Sequence, residues 1–509
     1  MTEPQDIGKL EQQRREKLER IRQLGIDPYG ARFDNVELTQ SVRARFDEKN
    51  QQQKAVCAGR IVLLRDIGKL IFITLRDSSG TIQLGLSKKL LEGQWELIKL
   101  LDLGDIIGAE GQLGLTKTGE LTIWVEKLTI LAKSLLQPPE KFHGLADIDL
   151  RYRRRYVDMW ANPDCMDRFK KRIAIISTIR SFLQERGFYE VETPMMQSIP
   201  GGAAAKPFIT HHNALDIDLY LRIAPELFLK RLLAGGFEKV FEMNRNFRNE
   251  GLSPRHNPEF TMMEIYQAYA DYNIMMELTE ELIFLLVEKH CEGANPVREK
   301  ASEMPDGRQR QPVSNGTKIK FGDNTIDYSR PWEKVSYSNL LKEYAGCDIH
   351  DISSIRKKAK SLGIEEAKKA DEIVINELFA ATVEKNLINP TFVFDYPARL
   401  CPLTKRSCAN PQFAERFELY IGTMEIANAY TELNDPQVQY ENFVWQLKGA
   451  GEDESTFRSL DEDFITALKY GMPPAGGLGI GIDRLIMLLT GAASIRDVIL
   501  FPLLKPEKI

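Results

Sequence analysis

The chain has 509 residues, of which 43% are hydrophobic and 28% are charged, and its formal net charge is −5. Such a length exceeds what a single hydrophobic core usually holds, so the chain is expected to form two or more domains of an ordinary globular protein. The negative net charge excludes attraction of nucleic acid by the whole molecule, so any nucleic acid must be bound by a local basic surface.

The first predicted element is a basic helix that begins near Lys9. Leu10, Leu18 and Ile21 recur at helical spacing, and Gly25 ends the pattern. Two interpretations remain open: the helix is solvated and docks through its apolar side chains, or its basic residues lie beside RNA phosphates.

Short strands are predicted from residue 55 to about residue 132, where turn residues separate apolar or alternating runs. A helical stretch, 88–101, separates the third strand from the fourth. Five strands with a helix in this place are typical of the OB-fold, a β-barrel that often binds single-stranded nucleic acid. The pattern alone equally allows a barrel that only contacts other proteins. The predicted strands are 56–64, 70–75, 81–86, 106–112 and 121–131.

A linker containing two prolines is predicted at 137–139, and an arginine-rich segment, 151–156, follows it. The arginines are interpreted either as an RNA-facing hinge or as a solvated edge between two domains. The sequence does not distinguish between these interpretations.

From about residue 157 the predicted strands come in runs and do not alternate strictly with helices, which is typical of an α+β fold. Residues 292–316 are polar and are expected to form a mobile loop. Residues 351–385 are rich in helical pattern and are interpreted as an insertion. The predicted helices are 168–186, 225–233, 275–288 and 483–490, and the predicted strands are 188–191, 219–221, 240–244, 260–266, 391–394, 417–421 and 426–433.

Neither a membrane span nor a disulfide framework is expected. The apolar run from Leu282 to Val287 is far too short to cross a bilayer, and the first residues carry no apolar signal region. The cysteines form no C-x-x-C pair, and the histidines stand at no zinc-binding spacing from them. A cytoplasmic protein without a membrane partner is therefore expected.

A glycine-rich turn, 476–484, ends in Asp483-Arg484 at the start of a predicted helix. An arginine in that place can pair with a phosphate, and the helix N-terminus adds its dipole. Two common ATP-binding devices are missing, the G-x-x-x-x-G-K-[ST] loop and a G-x-G-x-x-G that follows a strand. Many glycine-rich turns only permit tight packing, so this turn alone is weak evidence for a phosphate site.

Two further segments suit phosphate chemistry. Residues 247–266 are predicted to form two strands joined by a loop, which would bring Arg248, Arg255 and His256 together as a polyphosphate clamp. Glu418 and Glu425 flank a predicted turn, and two carboxylates that face each other across a hairpin suit Mg²⁺ bound to substrate phosphates. Ordinary surface charges are the alternative interpretation of both segments.

Together these segments resemble the class II aminoacyl-tRNA synthetases. Residues 187–194 are similar to motif 1 of that family, 247–266 to motif 2 and 477–484 to motif 3, in the family's order, while class I signatures are absent. The resemblance extends from about residue 5 to residue 507.

Within this class the chain resembles the lysyl-tRNA synthetases of bacterial type. A barrel ahead of the catalytic domain is shared by the lysine, aspartate and asparagine enzymes, and the lysine enzymes are indicated by the segments 200–203, 208–213, 256–261 and 425–435. A pocket for lysine needs a buried anion, which Glu432 supplies, whereas a pocket for aspartate would need a cation.

The resemblance implies a role for each site residue. Arg248 and Arg484 would be catalytic: Arg248 would hold the lysine carboxylate and then the α-phosphate, and Arg484 the γ-phosphate. The implied lysine-binding residues are Gly202, Glu226, Arg248, Glu264, Tyr266, Asn428, Glu432 and Gly479. The implied ATP-binding residues are Arg248, Glu250, His256, Asn257, Phe260, Glu418, Glu425 and Arg484. Glu418 and Glu425 would also hold Mg²⁺, and Phe72 and Gln83 would bind the anticodon.

The implied activity is that of a lysine–tRNA ligase, which activates lysine with ATP to lysyl-adenylate and then transfers lysine to the 3′ end of tRNA(Lys). The implied assembly is a homodimer, and the implied cofactor is Mg²⁺. The implied domains are an N-terminal basic helix and lead-in (1–54), an OB-fold anticodon-binding domain (55–135), a linker (136–156) and a class II catalytic domain (157–509) with a helical insertion at about 345–388.

The sequence departs from the family pattern after Asp395-Tyr396-Pro397, where Arg399 and Cys401 replace an acidic residue and a serine. A local loop contact is therefore in doubt, and the segment 291–313 is longer than expected of the bacterial type. Two alternatives remain. One is a paralogue that lysylates a protein, although such paralogues lack the barrel. The other is a non-catalytic RNA-binding or scaffold paralogue, although such proteins usually lose motif residues.

Overall fold

The computed structural model describes residues 8–50, 53–136, 145, 147–203, 205–291, 318–365, 367, 369–448 and 460–506. The chain divides into two compact units, Met1–Ala146 and Asp147–Ile509. The division falls inside the predicted linker 136–156, and the later part of that segment belongs to the second unit. The predicted loop 292–316 and the prolines at 138 and 139 lie outside the described residues.

The first unit contains a closed five-stranded barrel, which confirms the predicted β-barrel. Its strands are β1 (Lys54–Asp66), β2 (Leu70–Arg76), β3 (Thr81–Ser87), β4 (Ile106–Leu115) and β5 (Leu121–Ala132), in the order β1-β2-β3-β5-β4. Successive side chains of a strand point to opposite faces. In β2, Ile71 and Ile73 are therefore buried in the barrel, whereas Phe72 and Thr74 are only partly buried. The helical stretch between β3 and β4 is shorter than predicted and reduces to Trp95–Lys99 with a 3₁₀ turn before it.

The basic helix Lys9–Gln23 docks on the barrel unit through part of its predicted apolar face. Leu18 and Ile21 are buried, but Leu10 is mostly exposed. Arg14 is also buried, and its guanidinium donates to the carbonyl oxygens of Ser134 and Leu136 at 3.0 Å each. A second short helix, Thr39–Arg45, precedes β1.

The second unit is built on an eight-stranded mixed sheet, which confirms the α+β fold class. Among the described strands of this eight-stranded sheet, only the β14–β15 and β6–β10 pairs are parallel. The strands of this unit are β6 (Tyr189–Glu190), β7 (Met196–Gln197), β8 (Ile209–His212), β9 (Ile217–Leu221), β10 (Lys239–Phe247), β11 (Glu259–Ala268), β12 (Lys318–Phe321), β13 (Asn324–Asp327), β14 (Glu333–Ser336), β15 (Thr391–Pro397), β16 (Phe413–Ile421), β17 (Met424–Thr431) and β18 (Ala475–Ile480). The large sheet has the order β14-β15-β16-β17-β18-β11-β10-β6, and two small sheets have the orders β12-β13 and β7-β9-β8.

One face of the large sheet is apolar and is covered by three helices: Pro163–Gln184, Tyr272–His290 and Ile482–Thr490. Because side chains alternate along each strand, the same strands present polar residues on the opposite face. In β11, for example, Met263 and Ile265 enter the apolar core, while Glu264 points the other way. The remaining helices are Ile148–Arg153, Arg155–Ala161, Glu226–Ala234, Tyr337–Ala345, Ile352–Ser361, Asp371–Thr382, Pro436–Lys448 and Glu462–Gly471.

The helices from Tyr337–Ala345 to Asp371–Thr382 lie between β14 and β15, which pair in parallel. Parallel neighbours need a crossover connection, and these helices supply it. They share a core of their own, in which the rings of Tyr337 and Phe379 stack at 4.0 Å. The segment interpreted as an insertion is therefore the crossover between two paired strands.

The arginine-rich segment does not behave uniformly, and both interpretations of it were wrong for Arg155. Arg155 is fully buried and binds Asp158 at 2.8 Å and the carbonyl oxygen of Arg496 at 2.7 Å. Arg154 beside it is exposed. Arg155 thus ties its helix to the C-terminal segment of the same unit.

No helix among the described residues is long and apolar enough to cross a membrane. The six cysteines all lie in described segments and are free thiols, of which only Cys408 is exposed. Within the described ranges there is no group of three or more His, Cys, Asp or Glu side chains that could hold a metal ion.

Candidate active site

Two rows of residues cross the centre of the large sheet on its polar face. Each row takes one residue from β11, β18, β17 and β16, in that order, and β18 contributes a glycine to both. The first row is Glu264, Gly479, Asn428 and Glu418, and the second is Tyr266, Gly477, Tyr430 and Arg416. The glycines leave the middle of this face without side chains, so ligands and neighbouring carboxylates can approach the backbone.

Two cavities open on this polar face and share a wall. Their volumes are about 260 Å³ and about 480 Å³, and we call them the first and the second cavity. Arg248, Met262, Asn428 and Gly479 line both. The Arg248 guanidinium therefore stands where contents of the two cavities would meet.

The first cavity gathers nearly the whole predicted ATP site. Apart from Glu418, every predicted ATP-binding residue lines it: Arg248, Glu250, His256, Asn257, Phe260, Glu425 and Arg484. The strands β10 and β11 and the loop between them supply one wall, and the start of helix Ile482–Thr490 supplies Arg484.

Arg484 and His256 hold each other in this cavity. An Arg484 Nη lies 2.9 Å from Nε2 of His256, and Nδ1 of His256 lies 2.8 Å from the hydroxyl of Ser253. Burial and the Arg484 cation lower the pKa of His256, so its ring is neutral. Because the guanidinium only donates, Nε2 must accept and Nδ1–H must donate to Ser253. The loop between β10 and β11 is thereby fixed against the helix that carries Arg484.

Arg248 has unused donor capacity. Its guanidinium carbon lies 5.2 Å from the centroid of the Phe260 ring, and its backbone N–H donates to the carbonyl oxygen of Pro258 at 2.8 Å. Its Nε is buried and has no hydrogen-bond partner among the described residues. A buried N–H without an acceptor is costly, so this donor suits an anionic ligand.

Asp483 was not singled out as a site residue, although it directly precedes Arg484. It is buried and accepts from an Arg172 Nη at 2.5 Å and from the backbone N–H of Thr261 at 2.7 Å. It therefore joins β11 to the start of the helix that carries Arg484. Its position between the glycines and Arg484 was the available sequence signal.

The second cavity gathers the predicted lysine site. Every predicted lysine-binding residue except Glu432 lines it: Gly202, Glu226, Arg248, Glu264, Tyr266, Asn428 and Gly479. The Tyr266 hydroxyl donates to Glu264 at 3.1 Å, and both residues are buried. Burial raises the pKa of Glu264 well above its usual range, and the nearby Glu226 carboxylate adds to the rise.

Glu432 lies behind the second cavity, where it is fully buried beside Lys230, a residue that sequence reasoning missed. The Lys230 ammonium binds Glu226 Oε1 at 2.7 Å and forms an ion pair with Glu432 Oε2. Burial raises the pKa of Glu432 to about 8, although the Lys230 cation opposes the rise. Lys230 follows Glu226 by one helical turn, and that spacing was the signal that could have found it.

The two predicted metal ligands do not face each other directly across the hairpin. Glu418 pairs with Asn428, whereas Glu425 pairs with Tyr420, because a bulge shifts the register between Leu419 and Tyr420. Glu425 lines the first cavity and accepts from Asn428 Nδ2 at 2.9 Å.

Glu418 lies outside the lining of both cavities and is held by three donors. The hydroxyls of Tyr396 and Tyr420 donate to it at 2.7 Å each, and Arg416 forms an ion pair with it. The Tyr420 hydroxyl oxygen also lies 3.3 Å from Oε1 of Glu384. Burial raises the pKa of Glu384, and the Glu418 carboxylate adds to the rise.

The unusual Cys401 belongs to the same network. Its sulfur accepts from an Arg416 Nη at 3.2 Å, and it lines the second cavity together with Arg399. The thiol thus occupies an acceptor position next to the arginine that pairs with Glu418. Arg399 itself reaches Glu372 at 3.2 Å.

The outer face of the barrel carries the two predicted anticodon residues. Gln83 donates to the Thr122 hydroxyl at 2.9 Å, and Phe72 meets Trp124 edge-on at 6.2 Å between ring centroids. Trp124 was missed by sequence reasoning. It lies over Gly85, where a Cβ atom would come within 2.7 Å of its ring. Two aromatic rings and an amide therefore share this face.

Two family models match the chain. "tRNA synthetases class II (D, K and N)" matches residues 147–505, and "OB-fold nucleic acid binding domain" matches residues 55–131. A lysine–tRNA ligase of Syntrophomonas wolfei subsp. wolfei is 49% identical over 99% of this chain and 98% of its own length. A lysine–tRNA ligase of Carboxydothermus hydrogenoformans is 49% identical over 99% of this chain and 100% of its own length. A lysine–tRNA ligase of Pectobacterium carotovorum subsp. carotovorum is 47% identical over 99% of this chain and 98% of its own length.

Proposed function

The chain belongs to the class II tRNA synthetases of the aspartate, lysine and asparagine group, and from that premise we infer that it is a lysine–tRNA ligase. The relatives that carry this name match the chain over nearly its whole length, and an OB-fold domain precedes the catalytic domain. The two cavities of the catalytic domain divide the substrates of the first step between them.

The meeting of the two cavities at Arg248 carries this proposal. ATP occupies the first cavity and lysine the second, with the lysine carboxylate beside the α-phosphate. A carboxylate oxygen forms a bond to the α-phosphorus, and the bond from that phosphorus to the leaving pyrophosphate breaks. Arg248 neutralises charge on both groups, since a guanidinium fork suits carboxylate and phosphate alike. Orientation of the two substrates replaces a protein nucleophile.

The nucleotide is held by the other residues of the first cavity. Phe260 stacks on the adenine, and His256 and Asn257 fix the position of ATP. Arg484 reaches the γ-phosphate and covers the other adenine face. The Arg484–His256 contact supports this arrangement, because it holds the guanidinium at the cavity wall.

Lysine is recognised by the charges around the second cavity. Glu226 and the backbone of Gly202 bind the α-ammonium, while Glu432 and Tyr266 bind the ε-ammonium. Asn428, Glu264 and Gly479 shape the space between them. An anionic pocket favours a side chain that ends in a cation and repels aspartate, which gives selectivity by attraction and by repulsion.

We also propose Mg²⁺ as the cofactor of the first step. Mg²⁺ prefers oxygen ligands and often binds one or two carboxylates together with substrate phosphates. Glu425 fits this role because it lines the first cavity. Glu418 already accepts from three donors, and a carboxylate offers roughly four acceptor positions, so one remains for a metal. Bound there, the ion would neutralise the phosphate charge while pyrophosphate leaves.

In the second step the terminal ribose 3′-hydroxyl of tRNA(Lys) attacks the carbonyl carbon of lysyl-adenylate, and AMP leaves. The barrel would bind the anticodon, with Phe72 stacking on a base and Gln83 adding hydrogen bonds that select it. The partly buried aromatic rings of Phe72 and Trp124, which lie together on the outer face of the barrel, support this role.

A homodimer in the cytoplasm is the proposed working form. Large apolar side chains are exposed between residues 189 and 217, including Tyr189, Met196, Ile209 and Leu215, and such patches mark interaction surfaces. The free thiols suit a reducing compartment. Light scattering would show whether two chains associate.

Amino-acid-dependent exchange between ATP and pyrophosphate tests the proposed function. Each of the standard amino acids is supplied in turn with Mg²⁺. Exchange with lysine alone supports the pocket assignment, and subsequent transfer of radiolabelled lysine to tRNA identifies the acceptor. Exchange with aspartate or asparagine would overturn the proposed specificity for lysine. Absence of exchange with every amino acid would favour a non-catalytic paralogue.

A further inference from the structure

Lys230 is a fully buried lysine inside a protein whose proposed substrate is lysine. It lies in the helix Glu226–Ala234, and no part of its side chain is exposed. Its ammonium touches Glu226 and Glu432, the two carboxylates proposed to receive the two ammonium groups of the substrate. One buried cation thus connects both ends of the proposed lysine site.

Carboxyl groups outnumber this cation. Lys230 contacts the buried Glu226 and Glu432, and a third buried carboxyl group, Glu264, interacts electrostatically with both of them. A fourth, Glu242, is already paired with Arg222 at 2.6 Å. The other titratable or charged groups nearby are Tyr266 on β11, Tyr430 on β17 and Arg416 on β16, and Arg416 lies over the Tyr430 ring and pairs with Glu418.

We propose that Lys230 is a positioning residue that favours the ionised form of Glu432 and orients Glu226 and Glu432 for the two ammonium groups of the amino-acid substrate. This inference rests on the proposed function, because it assumes that lysine enters the second cavity. Lys230 itself does not touch the reacting atoms.

The physical reason is the behaviour of buried carboxylates near one another. Like charges in a low-dielectric site disfavour each other's ionisation, so such groups take up protons unless a cation is present. A protonated Glu432 cannot pair with the ε-ammonium of the substrate. Removal of the Lys230 cation therefore weakens binding of lysine, and the loss is greatest at low pH, where the proton is hardest to remove.

The sign of the pH effect follows from this coupling. Below the pKa of Glu432 the ionised fraction falls about tenfold per pH unit, so the KM for lysine rises as pH falls. Without the Lys230 cation, the Glu432 carboxyl group ionises only at a higher pH. The pH at which the KM for lysine levels off therefore moves upward, while the KM for ATP does not change.

The test compares Lys230→Met, which removes the charge, with Lys230→Arg, which retains it, in ATP–pyrophosphate exchange across the neutral and mildly alkaline range. The exposed Lys342→Met on another helix is the matched control. At neutral pH, Lys230→Met is expected to raise the KM for lysine about tenfold or more. The difference in the KM for lysine between Lys230→Met and the unaltered protein is expected to decrease as pH rises. Lys230→Arg is expected to keep the pH profile of the unaltered protein.

Three results for Lys230→Met would overturn the proposal: a KM for lysine raised equally at every pH, a KM for ATP raised as much as the KM for lysine, or an unchanged KM for lysine. Each result would leave Lys230 with a purely structural role. If Lys230→Met does not fold, Lys230→Arg decides: a retained profile supports the proposal, and a profile moved upward overturns it. Failure of the proposed function can be distinguished from failure of this inference, because in that case the unaltered protein itself would show no lysine-dependent exchange.

Discussion

Gly477 and Glu432 approach so closely that a Cβ atom on Gly477 would lie 1.8 Å from Oε1 of Glu432. Gly477 belongs to the central strand β18, and Glu432 follows the end of the neighbouring strand β17. The buried carboxylate can therefore lie beside β18 only because that strand carries no side chain at this point.

Gly477→Ala is expected to displace this carboxylate and to weaken recognition of lysine. Overpacking a buried site costs about 1–3 kcal/mol, so the KM for lysine in ATP–pyrophosphate exchange should rise about fivefold to about a hundredfold. Gly479→Ala is the matched comparison, because its Cβ would lie 3.2 Å from Asn428 Oδ1 and needs a smaller adjustment. An equal effect of the two substitutions would count against a special role for the Gly477 position.

Glu432→Gln is expected to affect lysine and not ATP. Removing one member of a buried charge pair costs about 2–5 kcal/mol, which corresponds to a rise of about 30-fold or more in the KM for lysine. The KM for ATP should stay within about twofold, since Glu432 lies outside the first cavity. The exposed Glu343→Gln serves as control. Equal changes for both substrates would show that Glu432 only supports the fold.

Arg248→Lys is expected to slow the first step about a hundredfold to a thousandfold, since removal of one donor to the transition state costs about that much. The substitution keeps the positive charge but loses the fork that reaches carboxylate and phosphate together. Single-turnover formation of lysyl-adenylate measures the effect. Arg245→Lys is the control, because Arg245 lines neither cavity. Unchanged adenylate formation would remove Arg248 from the proposed mechanism.

Trp124→Ala is expected to separate the two steps. Loss of one stacking surface costs about 1–3 kcal/mol per base, so the KM for tRNA in aminoacylation should rise about fivefold or more. Exchange of ATP and pyrophosphate without tRNA should not change, because Trp124 belongs to the other compact unit. Tyr29→Ala replaces an exposed aromatic residue of the same unit and is the control. If Trp124→Ala leaves the KM for tRNA unchanged, the anticodon does not bind beside Trp124.

Arg155→Ala is expected to lower the free energy of unfolding of its unit by about 3–5 kcal/mol. The substitution leaves the buried Asp158 without one of its cationic partners and leaves the Arg496 carbonyl without a donor. Arg154→Ala, its exposed neighbour, should change stability by less than about 0.5 kcal/mol. Urea unfolding of both variants measures the difference, and similar midpoints would refute the structural assignment of Arg155.

Local patterns in the sequence predicted the barrel and much of the large sheet. The central strand β18 (Ala475–Ile480) was wrongly predicted as a glycine-rich turn, because its glycines carry no strand pattern. Alternation of apolar residues predicted β2 and β3 nearly to the residue, because one face of each strand is buried. The register of the hairpin around Glu418 and Glu425 could not be predicted, since a bulge in one strand has no local signature there.

The site residues that were missed act through distant partners. Lys230 appears in the sequence as one more charge on an amphipathic helix, and its meaning depends on Glu432, which the fold brings to it. The position of the Trp124 ring likewise depends on Gly85 on another strand, against which the ring lies. Residues within a family motif were predicted because the motif is recognisable in the sequence, whereas Trp124 has only tertiary evidence and Lys230 only its spacing from Glu226. The same limit explains why Arg155 was taken for a surface residue.

The wall shared by the two cavities has a consequence for inhibition. A single molecule that joins an amino acid to a nucleoside through a link that cannot be cleaved would fill both cavities at once. Binding of one half would hold the other half at a high effective concentration, so two weak ligands would become one tight inhibitor. Because Arg248 lines both cavities, the linker of any such compound must lie beside its guanidinium, and its length and charge must suit that position.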